Sequence, residues 1–218
     1  MHTELDLAAE VLACTESSDI TQFDQMNYLI PTVYHDEEYD VHAYVTEKVV
    51  DKDHFVIVAF KAEKDASLGG TRMHPQVGIR NNIYQAWYNL CDKVTTDILE
   101  RTMDAVHYED SQPTVIVTGR GLAGQLAALQ AIGNNAHYLF TFDTKNFVSD
   151  YLRQAWADGS TRAFSYHTVG NKAFPVSSKG VLGDHIWFQY NKKKLDPYRF
   201  ITGGQWDYFK AYMTGKVE

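Results

Sequence analysis

Apolar and polar positions alternate with two different periods along this chain, and each change of period marks a new element. Leu5 to Cys14 carries its apolar residues at helical steps, which predicts a short amphipathic helix. From Val41 to Val50 the step falls to two, with Val41, Ala43 and Val45 set against His42, Tyr44 and Thr46, as in a half-buried strand. Phe55 to Phe60, FVIVAF, is continuously apolar and suits a strand buried on both faces of a parallel or mixed sheet, reached from its predecessor by a hairpin. Ile79, Ile83, Trp87, Leu90, Val94 and Ile98 then recur at steps of three or four, predicting one long helix laid over that sheet. In Thr114 to Gln125, TVIVTGRGLAGQ, a β-rich run meets a glycine-rich turn and then the small-residue start of a helix. Tyr138 to Phe142 reads as a strand, Phe147 to Trp156 as a helix and Arg162 to Tyr166 as a strand. This alternation predicts a three-layer α/β fold with a mostly parallel central sheet. No repeat, low-complexity tract or linker interrupts it, and Glu63 to Gly70 reads as a polar loop, so a single domain over 1–218 is expected.

Composition narrows the partners. The 218 residues are 44% apolar, ordinary for a globular protein, and carry a formal net charge of −8. That charge repels a phosphate backbone, and the one dense basic run, Lys192 to Lys194, is short, so nucleic acid is not an expected partner. The opening MHTELDLAAE has acids where a signal peptide needs a basic start, and no apolar run approaches the roughly 20 residues of a membrane span. A cytoplasmic location is therefore expected. Cys14 and Cys91 lie far apart in helical patterns and are expected to be reduced core thiols.

The chemistry turns on the segment after Val117. Gly119-Arg120-Gly121-Leu122-Ala123-Gly124 is literally G-x-G-x-x-G after a strand, and Asp143 follows the next strand about 20 residues on, where a dinucleotide fold puts its ribose acid. On that reading the chain is a dinucleotide-dependent oxidoreductase. The same segment is also built like the strand-turn-helix of a nucleophile elbow, in which G-x-S-x-G lifts a serine into the cleft. Here the middle position is Gly121.

The wider sequence favours the second layout. Val117-Thr118-Gly119-Arg120-Gly121-Leu122-Ala123-Gly124-Gln125-Leu126-Ala127 resembles V-T-G-H-S-L-G-G-x-L-A of the class 3 lipase family of α/β-hydrolases. Upstream, Ala59-Phe60-Lys61-Ala62-Glu63 is similar to the family's A-F-R-G-T. Downstream, Thr141-Phe142-Asp143 is similar to its T-F-G, and His185 in GDHIWF to its late histidine before an apolar strand. The likeness runs from Phe55 to Phe188 and implies an α/β-hydrolase-like fold.

The same alignment removes the catalytic groups. Acyl transfer needs a nucleophile, a base, an acid that orients the base, and donors aimed at the oxyanion. Gly121 has no side chain, Arg120 replaces the family's histidine, Ala123 replaces its second glycine, and Ala62 stands where a small flexible oxyanion residue is implied. The segment Phe164 to Val169 offers no carboxylate for the acid, and only His185 matches its implied place. The expectation is a catalytically inactive lipase-like protein, a pseudoenzyme serving as a binding or structural module, of a kind that suits a viral or phage assembly. The alternatives are the dinucleotide enzyme or a hydrolase with an unorthodox nucleophile. No cofactor and no metal site are expected.

The remaining candidates read as ordinary structure. Tyr34-His35-Asp36-Glu37-Glu38 has metal-capable side chains but no spaced partners, and reads as a solvated loop. His74 is expected to cap or pack at the start of the long helix, and Tyr84, Trp87 and Tyr88 to form core and rim. Ser177 and Ser178 lack a glycine-bounded elbow. The aromatic segment Tyr198 to Tyr212, with Phe200, Trp206 and Phe209, either closes the domain core or anchors protein partners or self-assembly.

Overall fold

Strand-forming runs in this chain are separated by helices long enough to cross back over a sheet, and the computed structural model, which describes residues 2–16, 20–64, 66–109, 112–144, 149–169 and 182–189, assembles them in chain order. The elements are α1 (His2–Glu16), α2 (Thr21–Gln25), β1 (Thr32–Asp36), β2 (Val41–Val50), β3 (Asp53–Ala62), α3 (Asn81–Glu109), β4 (Thr114–Arg120), α4 (Ala123–Gly133), β5 (Tyr138–Phe142), α5 (Asp150–Ala157), β6 (Arg162–Val169) and β7 (Asp184–Gln189). The seven strands form one sheet in the order β1-β2-β3-β4-β5-β6-β7. β1, β2 and β3 pair antiparallel, while β3 through β7 run parallel.

Side-chain alternation along the strands divides two cores between the two faces of the sheet. Val56, Val58 and Phe60 of β3 join Val115 and Val117 of β4 beneath α3, α4 and Leu152 of α5. Phe55, Ile57 and Ala59 point the other way, with Ile116, Phe140 and Tyr166, against Leu5, Ala8, Val11 and Leu12 of α1. The apolar run in β3 is thus buried on both faces, as its sequence predicts, and the three layers are helix, sheet and helix.

Three differences from the sequence reading have clear causes. β1 carries charged and exposed residues at the sheet edge and has no apolar period to announce it. The helix expected from Phe147 is described from Asp150, because the Ser149 hydroxyl accepts from the Leu152 N–H and caps it there. Cys14 is buried as expected, whereas Cys91 lies on the half-exposed flank of α3 and is no core thiol; both are free.

Buried polar groups fasten the edges of the sheet. The Arg101 guanidinium donates to Asp97 Oδ1 at 2.6 Å, to Thr32 Oγ1 at 2.9 Å and to Glu47 Oε1, joining α3 to β1 and β2. Glu47 Oε2 also meets His54 Nε2 at 2.7 Å, and the Tyr34 hydroxyl donates to Asp97 Oδ2 at 3.2 Å. On the other face the Tyr28 hydroxyl donates to Glu10 Oε2 at 2.8 Å, and the Lys48 Nζ reaches the same oxygen at 3.3 Å while lying over the Tyr28 ring.

Candidate functional site

Parallel strands release their chain at one end of the sheet, and the turn from β4 into α4 lies at that end near the middle of the sheet, with β3 on one side and β5 on the other. Gly121 makes the turn with φ +57°, a conformation that glycine adopts freely and a side chain resists. Its N–H donates to the Phe142 carbonyl of β5 at 3.0 Å. Leu122 follows with helical backbone angles, and α4 begins at Ala123 with no side-chain cap. The segment from Gly121 to Gln130 is buried throughout, so the start of α4 is held inside the domain.

Close packing explains the last glycine of the turn. A β-carbon on Gly124 would lie 1.9 Å from Thr144 Oγ1, so only glycine lets α4 settle against the chain leaving β5. Gly119 is also crowded: a β-carbon there would stand 2.7 Å from the Ala123 carbonyl oxygen. Arg120 pairs with Phe142 in the sheet and is half-buried.

The other predicted positions fall around this turn at different distances. Asp143 follows β5 with φ +46°, its N–H donating to the Tyr166 carbonyl at 2.8 Å. Ala62 ends β3 opposite Val41, and the next N–H, of Glu63, donates to the Asp40 carbonyl at 3.0 Å. His185 requires a correction. It lies within β7 rather than ahead of it, in register with Ser165, which pairs with Thr141, which pairs with Gly119. Its backbone is therefore three strand spacings from β4, about 14 Å. The row between them is polar: Thr141 Oγ1 and Ser165 Oγ are 2.9 Å apart, and Ser165 donates to the Leu182 carbonyl at 3.0 Å.

The dinucleotide layout meets a topological obstacle. Doubly wound folds bind their ligand where the strand order reverses, opening a crevice between two crossovers that leave in opposite directions. Among the described strands the order never reverses, and α3 and α4 cover the same face of the sheet.

His74 and the aromatic cluster behave as the sequence suggests. His74 Nδ1 accepts from the Val77 N–H at 3.3 Å, and its ring packs on Tyr84 with centroids 4.0 Å apart. Tyr84 also touches Trp87 and Tyr88, and the Trp87 indole donates to Gln130 Oε1 at 2.9 Å, tying α3 to α4. Ser177, Ser178, the Lys192 to Lys194 run and the aromatic segment Tyr198 to Tyr212 lie outside the described residues.

The reading of Tyr34 to Glu38 as an isolated polar loop needs correction. Antiparallel pairing of β1 with β2 sets His35 directly opposite His42, with the two rings stacked at 4.1 Å and 7°. Asp40, in the connecting turn at φ +53°, brings Oδ1 to 3.6 Å from His35 Nε2. The spaced partners come from across the hairpin. The signal was in the sequence, in two histidines flanking a turn-forming acidic run, but it needs β1 to be seen as a strand. His42 is kept toward its neutral form, first by burial and then by the His35 charge.

No family model and no curated protein sequence matches the chain. Solved structures do match. A deletion mutant of the Rhizomucor miehei lipase in its propeptide complex superposes with TM-score 0.65 at 14% identity, over 88% of this chain and 67% of that one. The lipase from Rhizopus microsporus var. chinensis gives TM-score 0.59 at 15% identity, over 89% and 73%. A triacylglycerol lipase from Penicillium expansum gives TM-score 0.59 at 12% identity, over 86% and 79%. The class of architecture is therefore the α/β-hydrolase fold. Within it, the chain has the fold of the fungal lipases. No helix among the described residues is long and apolar enough to cross a membrane.

Proposed function

We propose that this chain is a lipase-fold protein without acyl-transfer chemistry, acting as a binding or structural module for protein partners or for copies of itself. One observation carries the reading: the turn between β4 and α4, where a hydrolase of this fold holds its nucleophile, is made by Gly121. A residue without a side chain forms no acyl-enzyme. Two further features support it. The segment from Gly121 to Gln130 is buried, and β6 carries no carboxylate.

The test is an esterase assay on short and long acyl esters with the unaltered protein and with Gly121→Ser. Both are expected to stay at solvent background, because restoring the hydroxyl supplies neither base nor orienting acid. The serine also forces a side chain into a left-handed conformation, at a cost of about 1–3 kcal/mol. Turnover that His185→Ala abolishes would overturn the proposal. The module half is tested by sedimentation: association that Trp206→Ala weakens is expected, and a monomer at high concentration that captures no partner counts against it.

A further inference from the structure

We propose that the β1–β2 hairpin holds a divalent transition-metal site, with His35, Asp40 and His42 as its protein ligands. One ligand-capable atom from each of the three lies within 4.8 Å of the others. A tetrahedral zinc ion with ligands at about 2.0–2.1 Å separates its donors by about 3.4 Å. The His35 Nε2 to Asp40 Oδ1 distance of 3.6 Å is already near that value. The stacked rings come from one cross-strand pair, so small side-chain rotations bring the second imidazole to the same point while the backbone stays fixed.

The way these groups meet is unusual for a merely solvated surface. His35 faces a carboxylate at 3.6 Å and His42 Nδ1 faces Glu63 Oε1 at 3.8 Å, both beyond hydrogen-bond length. His42 Nδ1 is buried and has no hydrogen-bond partner among the described residues. Imidazole nitrogens held beside carboxylates without bonding them leave acceptor capacity turned toward a common cation. Glu63 is engaged by the Lys61 Nζ at 2.7 Å, so it serves as a neighbour to the site, and a fourth coordination position falls to water.

The frame around the ligands is rigid. Asp36 Oδ1 accepts from the N–H groups of Glu38 at 3.0 Å and Tyr39 at 3.4 Å, while its Oδ2 accepts from Asn89 of α3 at 3.0 Å. The Asp40 carbonyl is tied to Glu63, as described above. A turn fixed on both sides holds the backbone of His35, Asp40 and His42 in place before any ion arrives, which lowers the ordering cost of binding. Mixed imidazole and carboxylate donors favour zinc and its first-row neighbours over magnesium or calcium, which prefer all-oxygen sites. The site lies at the same end of the sheet as the β4–α4 turn but on the opposite face from α4, since Val41 and Ala43, on either side of His42, belong to the core beneath that helix.

The experiment is a titration of the untagged, chelator-treated protein with zinc sulfate by calorimetry, with cobalt chloride as a spectroscopic reporter and magnesium chloride as the control. Zinc is expected to bind one ion per chain and to raise the melting temperature, magnesium to do neither, and cobalt to show the visible absorption of a four-coordinate nitrogen and oxygen site. His35→Ala and His42→Ala should each weaken zinc at least tenfold, and the exposed His107→Ala, in the last turn of α3, should leave it unchanged. His35 is well exposed, so its variant folds and keeps the comparison sound. Zinc binding that is absent, or that survives loss of both hairpin histidines, would overturn the proposal.

Discussion

Gly124 at the start of α4 lies so close to Thr144 that a single added carbon would stand 1.9 Å from the threonine hydroxyl oxygen. The Thr144 hydroxyl is buried and has no hydrogen-bond partner among the described residues. Gly124→Ala is expected to destabilise the fold by about 1–3 kcal/mol through overpacking, read from urea denaturation. Gly133 at the other end of the same helix is the control. A β-carbon there meets the Trp87 ring at an ordinary 3.6 Å, so Gly133→Ala should be neutral or mildly stabilising. Equal effects of the two substitutions would contradict this account of the turn.

Arg101 should be the most costly charge to remove. It satisfies Asp97 and Glu47 together in a largely buried setting and reaches Thr32 at the sheet edge. Arg101→Met leaves two carboxylates short of their cation, and a loss of about 3 kcal/mol is expected. Arg101→Lys keeps the charge but not the planar fork, and should fall between the two. Chemical denaturation of the three proteins at one salt concentration checks the order.

Stability should fall on the alkaline side in a window set by buried acids. Burial raises the Cys14 thiol from an ordinary 9.0 to about 11, with the Glu10 charge adding to it. Burial alone raises the Tyr166 phenol from 10.0 to about 12. In both cases the unfolded chain releases its proton first, so the native state holds more protons and loses stability as pH rises. The contribution of Cys14 is complete below pH 9 and is lost as pH rises through 11. Tyr28 moves in the same direction, through burial and then the Glu10 charge, and extends the effect. Melting temperatures between pH 8 and pH 12 should decline, and Cys14→Ala should flatten the first part of the decline; a flat profile in the parent protein would contradict the assignment.

Nicotinamide dinucleotide at millimolar concentration should not shift the melting temperature, since no strand-order reversal among the described strands opens a crevice beside Gly119 to Gly124. A shift that Asp143→Ala weakens would revive the dinucleotide reading of the glycine-rich turn.

The readable parts of this fold are those where burial imposes a period. FVIVAF gives β3 because both faces are covered, and the three- and four-residue steps from Ile79 to Ile98 give α3 because one stripe is, although the helix begins at Asn81 and leaves Ile79 in the chain before it. The glycine turn was visible as well, since its backbone demands small residues. β1 was not, because an edge strand with Val33 and His35 both exposed has no inward-facing set to betray it. With β1 went the His35–His42 pair, a contact made by register across a turn. His185 was legible as a late histidine at an apolar strand, although that strand begins one residue earlier, at Asp184.

A sheet whose spatial order repeats its chain order can be assembled in the order in which the chain is made. β2 folds back on β1, β3 folds back on β2, and every later strand docks on the edge its predecessor has just supplied, after one crossover connection. Among the described strands none has to wait for a partner made much later, and none must be threaded between two already in place. The widest gap along the chain is between β3 and β4, where the segment from Ala62 to Thr114, α3 included, must be laid over the sheet before the first parallel pair forms. The strand that leads into Gly121 is the fourth in the chain, so its sheet partner on one side, β3, precedes the turn and its partner on the other, β5, follows it.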